Sequence, residues 1–210
     1  MSDLALLQRD VEQRLSPYRF AHTKGVADMA ERLAALYCPE DREMLRAAAL
    51  LHDITKELDG ATQLALLDEA GIALRADELA APKIYHGITA PFVIARDFPA
   101  FAKDSLLSAV RWHTTARAGM TLCEAILYLA DYIEEGRKFP DCVALRHRFF
   151  DAEPHKMDRA ARLSHLAAVV LLSLEMTVAD LAHAGAPVCR DTLEALDFFK
   201  TEQTPFERML

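Results

Sequence analysis

An all-α, single-domain fold is predicted for this chain, and three observations predict it. Apolar residues recur at the three- and four-residue spacing of a helix face along nearly the whole sequence. Alternating apolar–polar runs bounded by turn residues, the mark of half-buried strands, are missing apart from short ambiguous ones such as Ala167 to Leu172. The seven glycines are scattered and form neither a dinucleotide fingerprint nor a phosphate loop.

The elements follow in order. Leu4, Leu7, Val11 and Leu15 lie on one face of a first amphipathic helix. Ser16-Pro17 ends it and starts the next, Ser16 as N-cap and Pro17 at the first helical position. The second helix turns Phe20, Val26, Met29, Leu33 and Leu36 inward and carries His22 in its first turns. After Pro39-Glu40-Asp41, a third helix is expected from about Arg42 to Lys56. It is apolar almost all round from Ala47 to Leu51, which places it at the centre of a bundle. Asp59-Gly60 breaks that helix, and a short one, Thr62 to Glu69, runs up to Gly71. A polar connection leads through Pro82 to a helix from Lys83 to Phe98, with Ile84, Ile88, Phe92 and Ile94 inward and His86 near its start. Pro91 should kink that helix or mark a fresh start.

Asp104 to His113 reads as a helix capped by Asp104, and Thr114 to Gly119 as a small polar loop. Leu122 to Ile133 is a strongly apolar helix carrying Asp131. Helical spacing continues over Cys142 to Phe150, over the long Lys156 to Ala184 and over Thr192 to Lys200, leaving Thr201 to Leu210 as a loosely held tail.

At 210 residues, 52% hydrophobic and 27% charged, the chain is long enough for a sizeable core and suits one domain better than two. The net charge of −8 argues against a broad basic surface for nucleic acid, yet a cleft holding cations and a few Lys/Arg side chains can still take a phosphate. The four cysteines, Cys38, Cys123, Cys142 and Cys189, have neither Cys-x-x-Cys nor Cys/His spacing, so reduced, mostly buried thiols are expected rather than a zinc site or disulfide framework. Met1 to Leu15 is interrupted by Asp3, Arg9, Asp10 and Glu12 and reads as neither signal peptide nor span. No apolar run approaches the roughly 18 residues of a membrane helix, and a cytoplasmic location is expected. A heptad seam is not evident, so a homodimer would use some other surface.

Chemistry concentrates at Leu50-Leu51-His52-Asp53-Ile54-Thr55-Lys56-Glu57. On a helix His52 and Asp53 lie about 100° apart, and Lys56 follows within one turn of both. A single His on a helix is more often a core or surface residue than a ligand. Here His22, His86, His113 and Asp131 accompany the pair, each on or at the end of a helix, and four histidines with two aspartates are what a two-metal hydrolytic centre needs. Asp131 follows the apolar Ile126-Leu127-Tyr128-Leu129-Ala130, and Asp53 follows Ala47 to Leu51, so both carboxylates need positive compensation. Metal coordination would serve them together; separate ion pairs, with Lys56 and Arg137 as partners, are the alternative.

His22, His52-Asp53 and Asp131 resemble the ligand signature of the HD-domain phosphohydrolases, with Lys56-Glu57 following as in many members. Five phrases, in order over roughly Tyr18 to Pro140, are similar to the YqeK branch, whose members hydrolyse dinucleoside tetraphosphates symmetrically. They are Arg19-Phe20-Ala21-His22-Thr23-Lys24-Gly25-Val26; Ala48-Ala49-Leu50-Leu51-His52-Asp53 with Lys56-Glu57; Tyr85-His86-Gly87; Val110-Arg111-Trp112-His113-Thr114-Thr115; and Ala130-Asp131-Tyr132-Ile133-Glu134 with Arg137-Lys138-Phe139-Pro140. The resemblance implies an HD-type helical bundle with extra C-terminal helices: an N-terminal helix over 1–17, a core over 18–140, further helices over 141–200 and a tail over 201–210. Two phrases depart from that branch. Ala116-Arg117-Ala118 stands where Gly usually follows the His-Thr motif, and Glu135-Gly136 where Pro often follows Ile-Glu.

By the same resemblance, His22, His52, Asp53 and Asp131 would hold one divalent metal and His86, His113 and Asp53 a second, with Asp53 bridging. Two such ions clamp a phosphoryl group and make a water usable as nucleophile near neutral pH. Imidazole and carboxylate ligands suit iron, manganese, zinc or nickel, and the resemblance points to iron. Lys56 and Arg137 would neutralise charge on the phosphate, Arg137 as a bidentate donor; Arg19, His113, Thr114 and Thr115 would add substrate contacts. The implied reaction converts diadenosine tetraphosphate and water to two ADP. Other outcomes of the same residues are a nucleotidase or phosphodiesterase for mono- or cyclic nucleotides, and a metal-free helical signalling or partner-binding module. Individually, Lys56-Glu57 could be a solvated helix end, Arg137 could pair with Glu134, Arg19 and Arg117 could flank the mouth, and Trp112 could stack on a base or fill the core. His147, His155, His165 and His183 lack the marking phrases and read as structural or exposed.

Overall fold

Ser16 begins the second helix as its chemistry dictates: Oγ accepts the N–H of Arg19 at 3.2 Å, and Pro17 occupies the first turn. In the computed structural model, which describes residues 3–202 and 205–206, this helix follows α1 (Asp3–Arg14) as α2 (Pro17–Tyr37). The rest are α3 (Arg42–Leu51), α4 (Gly60–Glu69), α5 (Ala76–Leu79), α6 (Tyr85–Asp97), α7 (Asp104–Trp112), α8 (Leu122–Ile133), α9 (Pro140–Phe150), α10 (Arg159–His183) and α11 (Arg190–Thr201). Among the described residues none is in a strand, and the fold is an all-α single domain.

Helix α3, apolar all round from Ala47 to Leu51, lies among four other helices. It packs on α1, α2, α7 and α8, and Leu45, Leu50 and Leu51 have no exposed surface. Full burial of each contributes about 1.5–3 kcal/mol. The chemistry-bearing segment is therefore anchored in a helix enclosed by four others.

Helix α3 stops at Leu51, not at Lys56. From His52 onward the chain runs in tight turns, with the N–H groups of Ile54, Lys56 and Leu58 bonded to carbonyls three residues back at 3.1, 2.9 and 3.2 Å. Tertiary bonds hold this tighter path: Thr55 Oγ1 donates to the His86 carbonyl at 3.3 Å and lies 2.8 Å from Thr89 Oγ1. Asp59 then caps α4, accepting the Thr62 N–H at 2.8 Å, so the Asp59-Gly60 break is also a start.

Other boundaries differ for equally local reasons. The connection before Pro82 contains α5. Helix α6 continues through Pro91 without a fresh start, and the carbonyl facing the proline ring belongs to Gly87. Asp104 is the first residue of α7 rather than its cap, because the Lys103 carbonyl already accepts the Leu107 N–H at 2.9 Å. Helix α9 begins at Pro140 rather than Cys142, and α11 at Arg190 rather than Thr192. Asp158, accepting the Ala161 N–H at 2.8 Å, starts α10 at Arg159 rather than Lys156.

Contrary to the sequence reading, α10 is long and apolar enough to cross a membrane by length and composition. Its Leu163, Leu166, Val169, Val170 and Leu174 are buried and it packs on α8, α9 and α11, with 28% of the apolar window inside the fold. The tail is not wholly loose either. Phe206 is buried, with its ring 5.8 Å from Phe199, while 203–204 and 207–210 lie outside the described residues.

Candidate active site

Five helix ends converge on one side of α3. His22 comes from the first turns of α2, His52 and Asp53 from the turn after α3, His86 from the start of α6, His113 from the C-cap of α7, and Asp131 from the last turn of α8. Two of these positions are set locally. The imidazole Nδ1 of His52 donates to the Ala49 carbonyl at 2.6 Å, and that of His113 to the Val110 carbonyl at 2.6 Å. Each ring thereby satisfies a carbonyl that the ending helix leaves free and turns its Nε2 inward. Gly87 lets α6 pass close to the end of α7, since a Cβ there would come within 3.3 Å of the Arg111 carbonyl.

Asp53 divides the cluster between its two oxygens. Oδ2 lies 3.5 Å from His52 Nε2 and 3.9 Å from His22 Nε2; Oδ1 lies 3.4 Å from His86 Nε2 and 3.8 Å from His113 Nε2. Asp131 Oδ1 closes the first group, 3.0 Å from His22 Nε2 and 3.9 Å from His52 Nε2. Three overlapping sets can each converge on one ion: His22, His52 and Asp53; His52, His113 and Asp131; and Asp53, His86 and His113.

The donor chemistry fits metal better than ion pairs alone. His52 Nε2 is fully buried and has no hydrogen-bond partner, although its Nδ1 is the protonated nitrogen. The Nε2 atoms of His86 and His113 stand 3.1 Å apart, and with Nδ1 of His113 committed as a donor, its Nε2 offers a lone pair. Burial, with His113 and Lys56 alongside, keeps the imidazolium of His86 well below its usual range, and burial lowers that of His113. Lowered imidazolium pKa values favour the neutral form, the one that can bind a metal. Burial opposes charge on Asp53, yet His52, His113 and His86 hold its carboxyl well below the carboxylate range. Asp131 is held low against burial by His22 and Arg137. At His22 burial is outweighed by Asp131 and Glu134, which raise it to about 9.

Cations ring the carboxylates as well. Arg19 reaches Asp53 Oδ2 at 2.8 Å, Arg137 reaches Asp131 Oδ1 at 2.6 Å, and Lys56 Nζ lies 3.2 Å from His86 Nε2. Burial lowers the Lys56 ammonium, opposed by Asp53 and Asp131. Thr114 Oγ1 stands 3.0 Å from both His86 Nε2 and His113 Nε2. Arg19, Lys56, Thr114, Thr115 and Arg137 line one cavity of about 480 Å³ with Asp53, His86 and Asp131, and Ala81, Pro82, Ile84, Leu181 and Pro187 add apolar lining. Trp112 does not line it; the ring lies under the guanidinium of Arg111 at 4.1 Å. Arg117 pairs with Glu124 at 3.0 Å, away from the mouth. His147, His155 and His183 are exposed, and His165 Nε2 bonds the Phe149 carbonyl at 3.0 Å.

Two residues that the sequence reading left outside the candidate site support the cluster. Glu134 is buried and holds His22 Nδ1 at 3.2 Å, so it is not the surface partner of Arg137. The available signal was Gly25, a helix-interior glycine whose Cβ would collide with Glu134 Oε2. Glu57 accepts the Ser16 N–H at 2.8 Å and lies 2.5 Å from Ser16 Oγ, tying the turn after His52 to the start of the His22 helix. Elsewhere, Cys38, Asp41 and Cys123 come within ligand distance of one another, a cluster hidden in the sequence by the separation of the two cysteines.

A helical bundle that gathers imidazoles and carboxylates from five helix ends defines a class, and the chain belongs to the HD domain family, which matches residues 19–136. Such domains are metal-dependent phosphohydrolases. Among its relatives, the symmetrical bis(5'-nucleosyl)-tetraphosphatase of Halalkalibacterium halodurans is 31% identical over 92% of this chain and 95% of its own length. The proteins of the same name from Bacillus subtilis and Staphylococcus aureus are 33% and 26% identical, over 62% and 91% of this chain and 68% and 92% of their own. A crystal structure of an HD superfamily hydrolase from Clostridium acetobutylicum, titled as involved in NAD metabolism, superposes with a TM-score of 0.81 at 28% identity, covering 96% of this chain and 98% of that one.

Proposed function

We propose that this protein hydrolyses dinucleoside tetraphosphates symmetrically, diadenosine tetraphosphate and water giving two ADP, in the cytoplasm. The observation that carries the proposal is the division of Asp53: one oxygen faces His22 and His52, the other His86 and His113. The name shared by the relatives supports the substrate class.

In this proposal His22, His52, Asp53 and Asp131 hold one divalent ion, His86, His113 and Asp53 the second, and iron is favoured over manganese, zinc or nickel. Such a pair supplies Lewis-acid charge and lowers the pKa of water. The chain's own side chains do the rest. Nδ1 bonds to Ala49 and Val110 fix the tautomers of His52 and His113, so their Nε2 lone pairs need no reorganisation. Arg19 and Arg137, freed from the carboxylates that they neutralise, turn to the bridging phosphates, Arg137 with its bidentate fork. Lys56, half-buried beside His86, adds a point charge, and Thr114 donates from its hydroxyl. The apolar lining of the 480 Å³ cavity offers a surface for a nucleoside.

The test is product chromatography of diadenosine tetraphosphate incubated anaerobically with the protein and ferrous iron, with His52→Ala as control and NAD and cyclic nucleotides alongside. ADP as sole product, absent in the variant, is the expected result. AMP with ATP would discard symmetrical cleavage, and turnover of cyclic nucleotides or NAD alone would replace the substrate.

A further inference from the structure

A substrate with a nucleoside at each end of its phosphate chain presents two bases, and the cavity described above accommodates one. A second cavity, of about 760 Å³, shares Arg19 and Arg137 with the first and has otherwise different lining. His22 and Glu134 face this second space, whereas Asp53, His86 and Asp131 face the first, so the ligand cluster lies between them. We infer that the second nucleoside of the substrate binds in this cavity with its base between Tyr18 and Phe139. The inference rests on the proposed dinucleoside substrate.

Tyr18 and Phe139 are, among the described residues, the most exposed of the large apolar side chains, at 79% and 63%, and both line this one cavity. Exposed aromatics beside cations are what a nucleotide recognises: each base has a π-face to stack, and each phosphate seeks a positive partner. Lys138 lines the same wall, so with Arg19 and Arg137 the cavity carries three cations beside the buried Glu134. Both rings stand on ordered backbone. Tyr18 follows Pro17 in the capped first turn of α2, and Phe139 is the N-cap of α9 before Pro140. Little further order is lost when a base stacks on them. The shared arginines give the phosphate chain a continuous path from one cavity to the other, and cleavage in the middle then leaves one ADP in each.

The experiment uses the iron-loaded full chain under anaerobic conditions, with the variants Tyr18→Ala, Phe139→Ala and the double, and Tyr18→Phe with Phe139→Tyr as conservative controls. Equilibrium dialysis with ADP should find two sites per wild-type chain and one in the double alanine variant. For diadenosine tetraphosphate the double variant should raise KM about tenfold or more with kcat retained, and the conservative pair should restore it. One ADP site in the wild type, two in the double variant, or a fall in kcat with KM unchanged would each overturn the second nucleoside site. Wild-type protein that leaves diadenosine tetraphosphate uncut refutes the proposed function instead, a result that the ADP stoichiometry does not touch.

Discussion

His22 Nδ1 lies 3.2 Å from Glu134 Oε1, and this carboxylate, buried at the end of α8, aims the imidazole of α2 at the site. A second partner also holds Glu134, since Oε2 accepts the Gly136 N–H at 2.5 Å. A carboxylate behind a ligating histidine fixes its tautomer and raises its basicity. Glu134→Gln should therefore weaken metal affinity about 10- to 100-fold while the fold persists. Metal titration followed by circular dichroism checks both halves, and an affinity unchanged from wild type would remove Glu134 from this role.

Gly25 exists to make room for that carboxylate. Alanine in a helix interior ordinarily stabilises by up to about 1 kcal/mol over glycine. Here the added Cβ meets Glu134 Oε2, and Gly25→Ala should destabilise by about 1–3 kcal/mol. Combining Gly25→Ala with Glu134→Ala should recover part of the loss, because the clash disappears with the carboxylate. Urea unfolding of the two single variants and the double gives the coupling; additive losses would place the defect elsewhere.

The strap between Ser16 and Glu57 should set the register of His22 against His52. Ser16→Ala removes the N-cap acceptor for Arg19 N–H and the hydroxyl facing Glu57 together. A loss of about 0.5–2 kcal/mol is expected. In a chain of this size that is a fall in Tm of about 2–4 °C for each kcal/mol. Glu57→Ala leaves the cap intact and should cost less, which differential scanning calorimetry of both variants resolves.

The wall of the first cavity is clasped by charge. Asp77 accepts from Arg75 and from the Arg190 N–H, and Arg75 reaches Asp191 at 2.5 Å, tying α5 to the start of α11. The Arg75 guanidinium and the Arg190 N–H hold the Asp77 carboxyl well below its ordinary 3.8. A depressed carboxylate stabilises the fold above its unfolded-state pKa, and the contribution is lost as pH falls through the folded value. Wild type should therefore be more stable than Asp77→Asn at pH 7, with the difference shrinking below about pH 4. A difference that is constant from pH 7 to pH 3 in urea unfolding would contradict the clasp.

Helix caps were legible because they are local: Ser16-Pro17 lies next to the backbone it organises, and the apolar run of α3 announces a central helix whatever surrounds it. Asp131 and Asp53 were legible for another reason, each being a carboxylate in an apolar stretch that needs compensation wherever it lands. The end of α3 at Leu51 was not, since the bonds from Thr55 to His86 and Thr89 join segments far apart in sequence. The i,i+3 spacing of Glu134 and Arg137 makes a surface pair a visible alternative, whereas the contact of Glu134 with His22 joins positions far apart in sequence.

Residue type and order determined the fold class, the helices and the identity of the imidazoles and carboxylates. The tertiary structure alone decided that Asp53 turns one oxygen to each pair of histidines, that His52 Nε2 is left without a partner, and that Arg19 and Arg137 stand between two cavities. Periodicity and capping act over one or two turns of chain, whereas the side-chain geometry of a site depends on where helix ends distant in sequence meet.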